Sequence, residues 1–141
     1  MITGLGHIAV RTSDLMESFR YYTEILGLKE AFRMYGEDGA LGTIYLYIAP
    51  NQFLELFANG SKAVEKGSDV IGMCHICLQV SDIRQAYQMV KERGGTLDSD
   101  IIVGRAKCLQ FWTHDPDGTP IELMELPAES LQAPATRIFN G

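Results

Sequence analysis

An internal repeat restricts the fold of this 141-residue sequence more than any other feature. The stretch GLGHIAVRTSD near the N-terminus is matched in mid-chain by GMCHICLQVSD, with His7 and His75 separated by 68 residues. A second match closes each half, because FLELF around Glu55 is followed 67 residues later by PIELM around Glu122. Such an ordered series of matches indicates a duplicated unit. Each half begins with a histidine and ends with a glutamate.

Within each half the pattern predicts one strand, one helix and then about three further strands, which is an α+β fold. Alternating apolar residues predict strands at 7–12 and 75–80, with both histidines on the less apolar face. After each strand, the sequence has the residue spacing of a helix capping box, and glycines mark the predicted helix ends. The capping residues are Asp14 and Asp82, and the terminal glycines are Gly27, Gly94 and Gly95.

Charge and composition exclude several classes of protein. The net charge is −6, so the basic face that binds nucleic acid is not expected. No apolar run reaches the roughly 18 residues that a membrane helix needs. The N-terminus does not resemble a signal peptide, so we expect a cytoplasmic protein with no membrane association. Three cysteines argue against a disulfide framework, and we expect Cys74 and Cys77 to point to opposite faces of a strand.

Two glutamates stand inside otherwise apolar strand sequences. A carboxylate in such a place either faces solvent or has a strong partner, and a single glutamate is more often on a solvated sheet face. Here, two histidines and two glutamates occupy equivalent positions of a duplicated unit, so curved sheets would gather all four. Two imidazoles and two carboxylates suit a divalent transition metal such as Ni²⁺, Co²⁺, Zn²⁺, Mn²⁺ or Fe²⁺. The predicted ligands are His7, Glu55, His75 and Glu122.

The repeated histidine strand, the Glu-Leu near each half's end and the sequence DPDGTPIELMEL resemble the vicinal oxygen chelate superfamily. Its members include glyoxalase I, extradiol dioxygenases, methylmalonyl-CoA epimerase and antibiotic-resistance proteins. The resemblance implies tandem βαβββ modules that form a curved, cup-shaped mixed sheet around a metal, with helices on the outside. It divides a single domain, 1–141, into module 1 (about 4–58), a connection (about 59–71), module 2 (about 72–126) and a C-terminal tail (127–141).

The ligand set His, Glu, His, Glu resembles glyoxalase I, the lactoylglutathione lyase. That resemblance implies isomerisation of a thiol hemithioacetal of a 2-oxoaldehyde through an enediolate, with glutathione or another thiol as co-substrate. It makes Glu122 the catalytic base, and Glu55 a metal ligand and second acid/base. The dioxygenases typically use two histidines and one carboxylate, and the epimerases usually have a glutamine ligand. Both differ from this set.

Further residues match positions that hold the glutathione moiety in glyoxalase I. Arg11 follows His7 by four residues and Asn59 follows Glu55 by four, while Arg105 and Lys107 resemble a basic loop. The alternatives are a surface arginine for Arg11 and an ordinary Asn-Gly turn for Asn59. Four aromatic residues either line the substrate cavity or pack in the core: Tyr45, Tyr47, Phe53 and Phe57.

Two other functions stay open at this point. One is a related metal enzyme with another substrate, such as an epimerase or a dioxygenase. The other is a metal-free protein that binds a small molecule or confers resistance. The resemblance also implies a homodimer, with a small molecule as the remaining partner. We expect Cys77 to border the pocket, Cys108 to lie in the core and His114 to be exposed beside the DPDG turn.

Overall fold

The structure is a computed structural model that describes residues 1–63, 65 and 67–139. Val64 and Lys66 of the predicted connection, and Asn140 and Gly141 of the predicted tail, lie outside the described residues. The chain divides into two compact units, Met1–Val70 and Ile71–Gly141. Each unit contains one copy of the repeat.

The first unit contains one helical segment and a four-stranded mixed sheet. The elements are β1 (His7–Arg11), α1 (Leu15–Arg20), which continues as a π-helical turn (Tyr21–Ile25), β2 (Lys29–Tyr35), β3 (Leu41–Ala49) and β4 (Gln52–Phe57). The strand order is β1-β4-β3-β2, in which β1 runs parallel to β4 and the other neighbours are antiparallel. The chain therefore brings its first and last strands side by side.

The second unit repeats this architecture. Its elements are β5 (Ile76–Gln79), α2 (Ile83–Glu92), β6 (Ile102–Val103), β7 (Leu109–His114), β8 (Pro120–Glu125) and α3 (Gln132–Phe139). The strand order is β5-β8-β7-β6, again with the first strand parallel to the last. The predicted βαβββ pattern is confirmed in both units. The predicted C-terminal tail contains the helix α3. At the start of this helix, the Ser130 hydroxyl accepts a hydrogen bond from the Ala133 amide.

Local capping explains where the first helix of each unit begins and ends. Asp14 accepts a hydrogen bond from the backbone amide of Glu17 at 2.9 Å, and Asp82 accepts one from Gln85 at 2.9 Å. Both bonds satisfy amides that a helix N-terminus otherwise leaves without partners. After the helices, Gly27 and Gly94 each have a φ of 80°, which glycine adopts without strain.

The hydrophobic core of each unit lies between the sheet and its helix. In the first unit α1 packs against β4, and in the second α2 packs against β7 and β8. The core residues, from helix and sheet alike, are fully or almost fully buried: Tyr22, Ile44, Leu46, Leu54 and Leu56 in the first unit, and Ile83, Val90, Phe111, Ile121 and Leu123 in the second. Because strand side chains alternate, Glu55 and Glu122 belong to the opposite face of each sheet.

Candidate metal centre

The first candidate pair joins the start of β1 to the middle of β4. In the parallel pairing of β1 with β4, Ala9 lies opposite Glu55. His7 precedes Ala9 by two residues and lies opposite Phe53. His7 Nε2 lies 3.3 Å from Glu55 Oε2. Glu55 is only 5% exposed, whereas half of the His7 side chain is exposed. On the other side of Glu55, Tyr45 of β3 is its antiparallel partner.

The second candidate pair repeats this arrangement with His75, the residue before β5, and Glu122, in the centre of β8. His75 Nε2 lies 3.0 Å from Glu122 Oε2. Glu122 is 8% exposed, and the His75 side chain keeps 34% of its surface exposed. The strand neighbours of Glu122 are Cys77 on β5 and Trp112 on β7. The two predicted ligands of each half therefore contact one another within their own unit.

Both carboxylates are buried, so neither lies on a solvated sheet face. The alternative in which a strand glutamate simply faces solvent is therefore wrong for Glu55 and for Glu122, because imidazole and aromatic side chains lie beside each of them. Burying a carboxylate is costly unless a partner compensates. In each unit the compensating contact is a histidine nitrogen, which is itself a common metal ligand.

An aromatic ring lies against each histidine, and one of these rings was not recognised from the sequence. The His7 and Tyr45 rings meet edge to face at 5.9 Å and 71°. The His75 and Trp112 rings meet at 4.8 Å and 78°. Tyr45 and Trp112 are separated by 67 residues, as are the two glutamates, so the repeat spacing was the signal that would have found Trp112.

Two neighbours of the carboxylates keep their protons at neutral pH. The hydrogen bond to Glu55, with burial as a smaller cause, raises the pKa of Tyr45. Burial, followed by the charge of Glu122, raises the pKa of Cys77 to about 11. Both groups thus face a carboxylate as neutral O–H or S–H groups.

The donor chemistry fits a divalent transition metal. Each unit presents one imidazole nitrogen and one buried carboxylate, a mixed N and O set of the kind that such metals bind. In the part of the chain that the structure describes, these donors come together as pairs. That part has no cluster of three or more His, Cys, Asp or Glu residues able to hold a metal. Each unit accordingly supplies half of the predicted four-ligand set.

Arg11 and Asn59 come together where β1 and β4 end. Arg11 Nη1 donates to the carbonyl of Ala58 at 2.9 Å, and its guanidinium lies over the Phe57 ring, 5.0 Å from the centroid. Asn59 follows Ala58 directly and has a φ of 65°. Arg11 is exposed, yet this contact directs its side chain toward the segment that carries Asn59.

Arg105 and Lys107 lie in the second unit, on the tight loop between β6 and β7. The loop is closed by hydrogen bonds from Gly104 N to Cys108 O at 2.8 Å and from Lys107 N to Gly104 O at 2.9 Å. Leu131, just before α3, donates to Ala106 O at 2.9 Å. Both basic residues are exposed. The predicted substrate-binding residues are thus divided between the two units.

The aromatic residues that the sequence assigned to a cavity or to the core lie on the face that carries His7 and Glu55. Phe53 meets the rings of Tyr45 and Tyr47 at 6.1 Å each, and Phe32 of β2 stacks on Tyr45 at 4.4 Å. Tyr47 is 42% exposed. This face therefore offers an accessible aromatic surface beside the first pair.

The remaining sequence expectations concern cysteines and His114. Cys74, Cys77 and Cys108 are free, and Cys108 is buried as predicted. The His114 side chain is 41% exposed, but its Nδ1 atom lies 2.8 Å from Asp98 Oδ2. It is consequently a paired residue rather than simply an exposed one.

Comparison with known sequences places the chain in a family. The sequence model of the Glyoxalase/Bleomycin resistance protein/Dioxygenase superfamily matches residues 4–123. The chain belongs to this superfamily. Lactoylglutathione lyase from Salmonella typhimurium is 28% identical over 127 residues, covering 86% of this chain and 91% of the relative. Lactoylglutathione lyase from Schizosaccharomyces pombe is 27% identical over 157 residues, covering 96% of this chain and 51% of that protein.

Solved structures share the fold. A glyoxalase family protein from Enterococcus faecalis superposes with a TM-score of 0.73 at 23% identity, covering 86% of this chain and 97% of the other. The fosfomycin resistance protein FosX from Listeria monocytogenes gives 0.69 at 16% identity, covering 93% and 99%. At these identities the likeness concerns the fold, which hosts different activities. Across the described residues, no helix has the length and apolar character needed to cross a membrane.

Proposed function

We propose that the chain is a metal-dependent lyase of the glyoxalase I type, which isomerises the hemithioacetal of a 2-oxoaldehyde and a thiol. The observation that carries this proposal is the His–Glu contact at equivalent positions of both units, at 3.3 Å and 3.0 Å. The similarity to lactoylglutathione lyases supports it. The intact set of two histidines and two glutamates also favours this activity over that of a metal-free binding protein.

In this proposal the two pairs combine to hold one divalent metal, either within one chain or across a homodimer. The ligands are His7, Glu55, His75 and Glu122, and Ni²⁺, Co²⁺, Zn²⁺, Mn²⁺ and Fe²⁺ suit this donor set. A bound ion supplies positive charge that stabilises the negative charge developing on the substrate oxygens. The homodimer and a cytoplasmic location stay predictions.

We assign proton transfer between the two neighbouring substrate carbons to Glu122, with Glu55 as second acid/base. Glu122 stands in the centre of β8, with β5 on one side and β7 on the other. A group held on a strand between two neighbours keeps its position better than a group on a loop. Removal and return of the proton by one carboxylate leaves the net composition of the substrate unchanged, as an isomerisation requires.

We further propose that the thiol is glutathione and that four polar residues bind it. Arg11 and Asn59 serve from the first unit, and Arg105 and Lys107 from the second. Arginine and lysine bind carboxylates through charge-assisted hydrogen bonds, and glutathione is a peptide with two carboxylates. The exposed side chains of Arg105 and Lys107 are accessible to such a ligand.

The substitution Glu122→Gln tests the assignment. It removes the proton-accepting oxygen at nearly constant shape, so we expect folding to be retained and turnover to fall by about 10²–10⁴-fold. The assay follows hemithioacetal isomerisation with Ni²⁺, Co²⁺ and Zn²⁺ added in turn. Glu92→Gln, at an exposed position of α2, is the matched control and should keep full activity. Unchanged turnover of Glu122→Gln would refute the proposal.

Metal analysis separates the proposal from its alternatives. Purified protein that holds no transition metal, and gains no stability on addition of one, would point to a binding protein. Bound metal without hemithioacetal isomerisation would point to a related metal enzyme with another substrate. Light scattering tests the homodimer independently of both.

A further inference from the structure

The third histidine of the chain, His114, lies on the same sheet face as the second His–Glu pair. On β7 the side chains of Phe111 and Thr113 are fully buried in the core. Because strand side chains alternate, Trp112 and His114 belong to the opposite face. Trp112 stands opposite Glu122 on β8. His114 therefore follows Trp112 along the face that carries the proposed catalytic base.

The strand register gives the distance from His114 to the second pair. His114 stands opposite Pro120 on β8. Ile76 of β5 pairs with Ile121, so His75, one residue earlier, lies beside Pro120 on its other side. The two histidines thus occupy one row across three strands. Neighbouring strands are about 4.8 Å apart, so the two backbones are separated by about 10 Å, a distance that about three residues of an extended peptide cover.

The imidazole of His114 is held by Asp98, which is itself fixed to β7. His114 Nδ1 lies 2.8 Å from one carboxylate oxygen of Asp98 and 3.0 Å from the other. The Asp98 amide donates to the carbonyl of Trp112 at 2.8 Å. The Trp112 amide donates to the hydroxyl of Ser99 at 3.1 Å. The carboxylate that orients the ring is therefore anchored through its own backbone and that of the next residue.

This arrangement leaves the other ring nitrogen of His114 available to a ligand. A carboxylate only accepts hydrogen bonds, so in the neutral ring the proton is on Nδ1 and Nε2 is an acceptor. No described residue bonds to Nε2, and 41% of the side chain is exposed. The three basic residues assigned to the thiol, Arg11, Arg105 and Lys107, offer donors only. His114 adds an acceptor that those residues lack.

We propose that His114, oriented by Asp98, is a substrate-binding residue that accepts a hydrogen bond from an N–H group of the thiol co-substrate. The co-substrate is then a peptide-like thiol with an amide or amine near its sulfur, rather than a simple carboxylate thiol. This inference rests on the proposed function in requiring that the hemithioacetal binds at His75 and Glu122. It assigns His114 no part in metal coordination.

The two ring nitrogens can be tested separately. His114→Asn keeps a donor near the position of Nδ1 and removes the distal acceptor, whereas His114→Gln offers an amide oxygen near the position of Nε2. Asp98→Asn weakens the orientation of the ring. Asp100→Asn is the matched control, because Asp100 is an exposed acid of the same segment that accepts from the Tyr87 hydroxyl at 3.3 Å. An exposed ion pair contributes little to stability, so circular dichroism should show that all four variants fold.

The assay compares two hemithioacetals of methylglyoxal in the Ni²⁺-loaded protein. Glutathione carries N–H groups, and 3-mercaptopropionate carries a carboxylate but no N–H group. With glutathione we expect His114→Asn to raise KM about tenfold with kcat within about threefold, which is the loss of one hydrogen bond. Asp98→Asn should raise KM about threefold, His114→Gln should recover part of the loss, and Asp100→Asn should leave KM unchanged. With 3-mercaptopropionate, measured by turnover or by competitive inhibition, no variant should differ.

A binding measurement provides a readout independent of turnover. We expect His114→Asn to weaken the binding of S-methylglutathione about tenfold in calorimetry, with the same order of variants. Unchanged KM and Kd in His114→Asn would refute the inference and leave the proposed function standing. Equal losses with both thiols would refute the recognition of an N–H group. Unsubstituted protein that binds S-methylglutathione but isomerises neither hemithioacetal would instead refute the proposed function.

Discussion

Removal of either member of the second pair breaks the same 3.0 Å contact, yet we expect opposite effects on the free energy of unfolding of the metal-free protein. Glu122 is 8% exposed, whereas the His75 side chain keeps 34% of its surface exposed. Loss of the carboxylate leaves an imidazole that water already reaches. Loss of the imidazole leaves a buried carboxylate without its main partner. The difference in burial therefore decides the sign of each effect.

The magnitudes follow from these two environments. Replacement of a buried ion pair by apolar side chains is often neutral or stabilising by about 1–4 kcal/mol. Only one ion is replaced in Glu122→Leu, so we expect the free energy of unfolding to rise by about 1–2 kcal/mol. A buried polar group left without its partner costs about 1–3 kcal/mol, so His75→Ala should lower it by that amount. In a domain of this size, each kcal/mol shifts Tm by about 2–4 °C.

The assay is urea unfolding at 25 °C in the presence of a chelator, followed by circular dichroism. Met124→Leu, on the same strand and face as Glu122, is the volume-matched control and should change stability by less than about 1.5 kcal/mol. With Ni²⁺ at 100 times its Kd, the unsubstituted protein gains about 2.7 kcal/mol, and Glu122→Leu should gain much less. If metal-free Glu122→Leu proves less stable by about 1 kcal/mol or more, the reasoning is wrong, because the carboxylate then stabilises the fold itself.

Three further substitutions test individual contacts. Asp82→Ala removes the N-terminal cap of α2 and should lower the free energy of unfolding by about 1 kcal/mol in chemical denaturation. Glu125 still accepts a hydrogen bond from the Ile83 amide at 2.8 Å, so a much larger loss of stability would contradict a role limited to capping. Gly60→Ala should lower stability by about 1–3 kcal/mol in a thermal scan, because a Cβ atom would lie 2.9 Å from the carbonyl oxygen of Thr12. Arg11→Ala should raise the KM for the glutathione hemithioacetal about tenfold with a smaller change in kcat, and an unchanged KM would remove Arg11 from the proposed substrate site.

The elements of this fold were predictable because their signals are local. Asp14 and Asp82 cap helices through bonds to residues three positions later, so sequence spacing alone locates the helix starts. The repeat then assigned the same element order to both halves. The helix α3 in the C-terminal tail was not predicted from the sequence, although it begins with a local hydrogen bond between Ser130 and Ala133.

The candidate site was predictable only in part. Alternation placed His7 and Glu55 on the face opposite the core, and the repeat made the same assignment for His75 and Glu122. The burial of the two carboxylates was not predictable, because it depends on Tyr45 and other side chains from separate strands. The contact of His114 with Asp98 likewise joins residues 16 positions apart, one on β7 and one before β6.

By itself, the sequence determined the duplication, the order of elements in each half and which four side chains we propose as metal ligands. These follow from short-range periodicity and from residue identity, which neither packing nor register alters. Only the tertiary structure decided that each glutamate is buried against its histidine and that the ring of Trp112 lies against His75 as the ring of Tyr45 lies against His7. Those contacts depend on the register between strands that are distant in sequence, and register is set by the packing of the whole sheet.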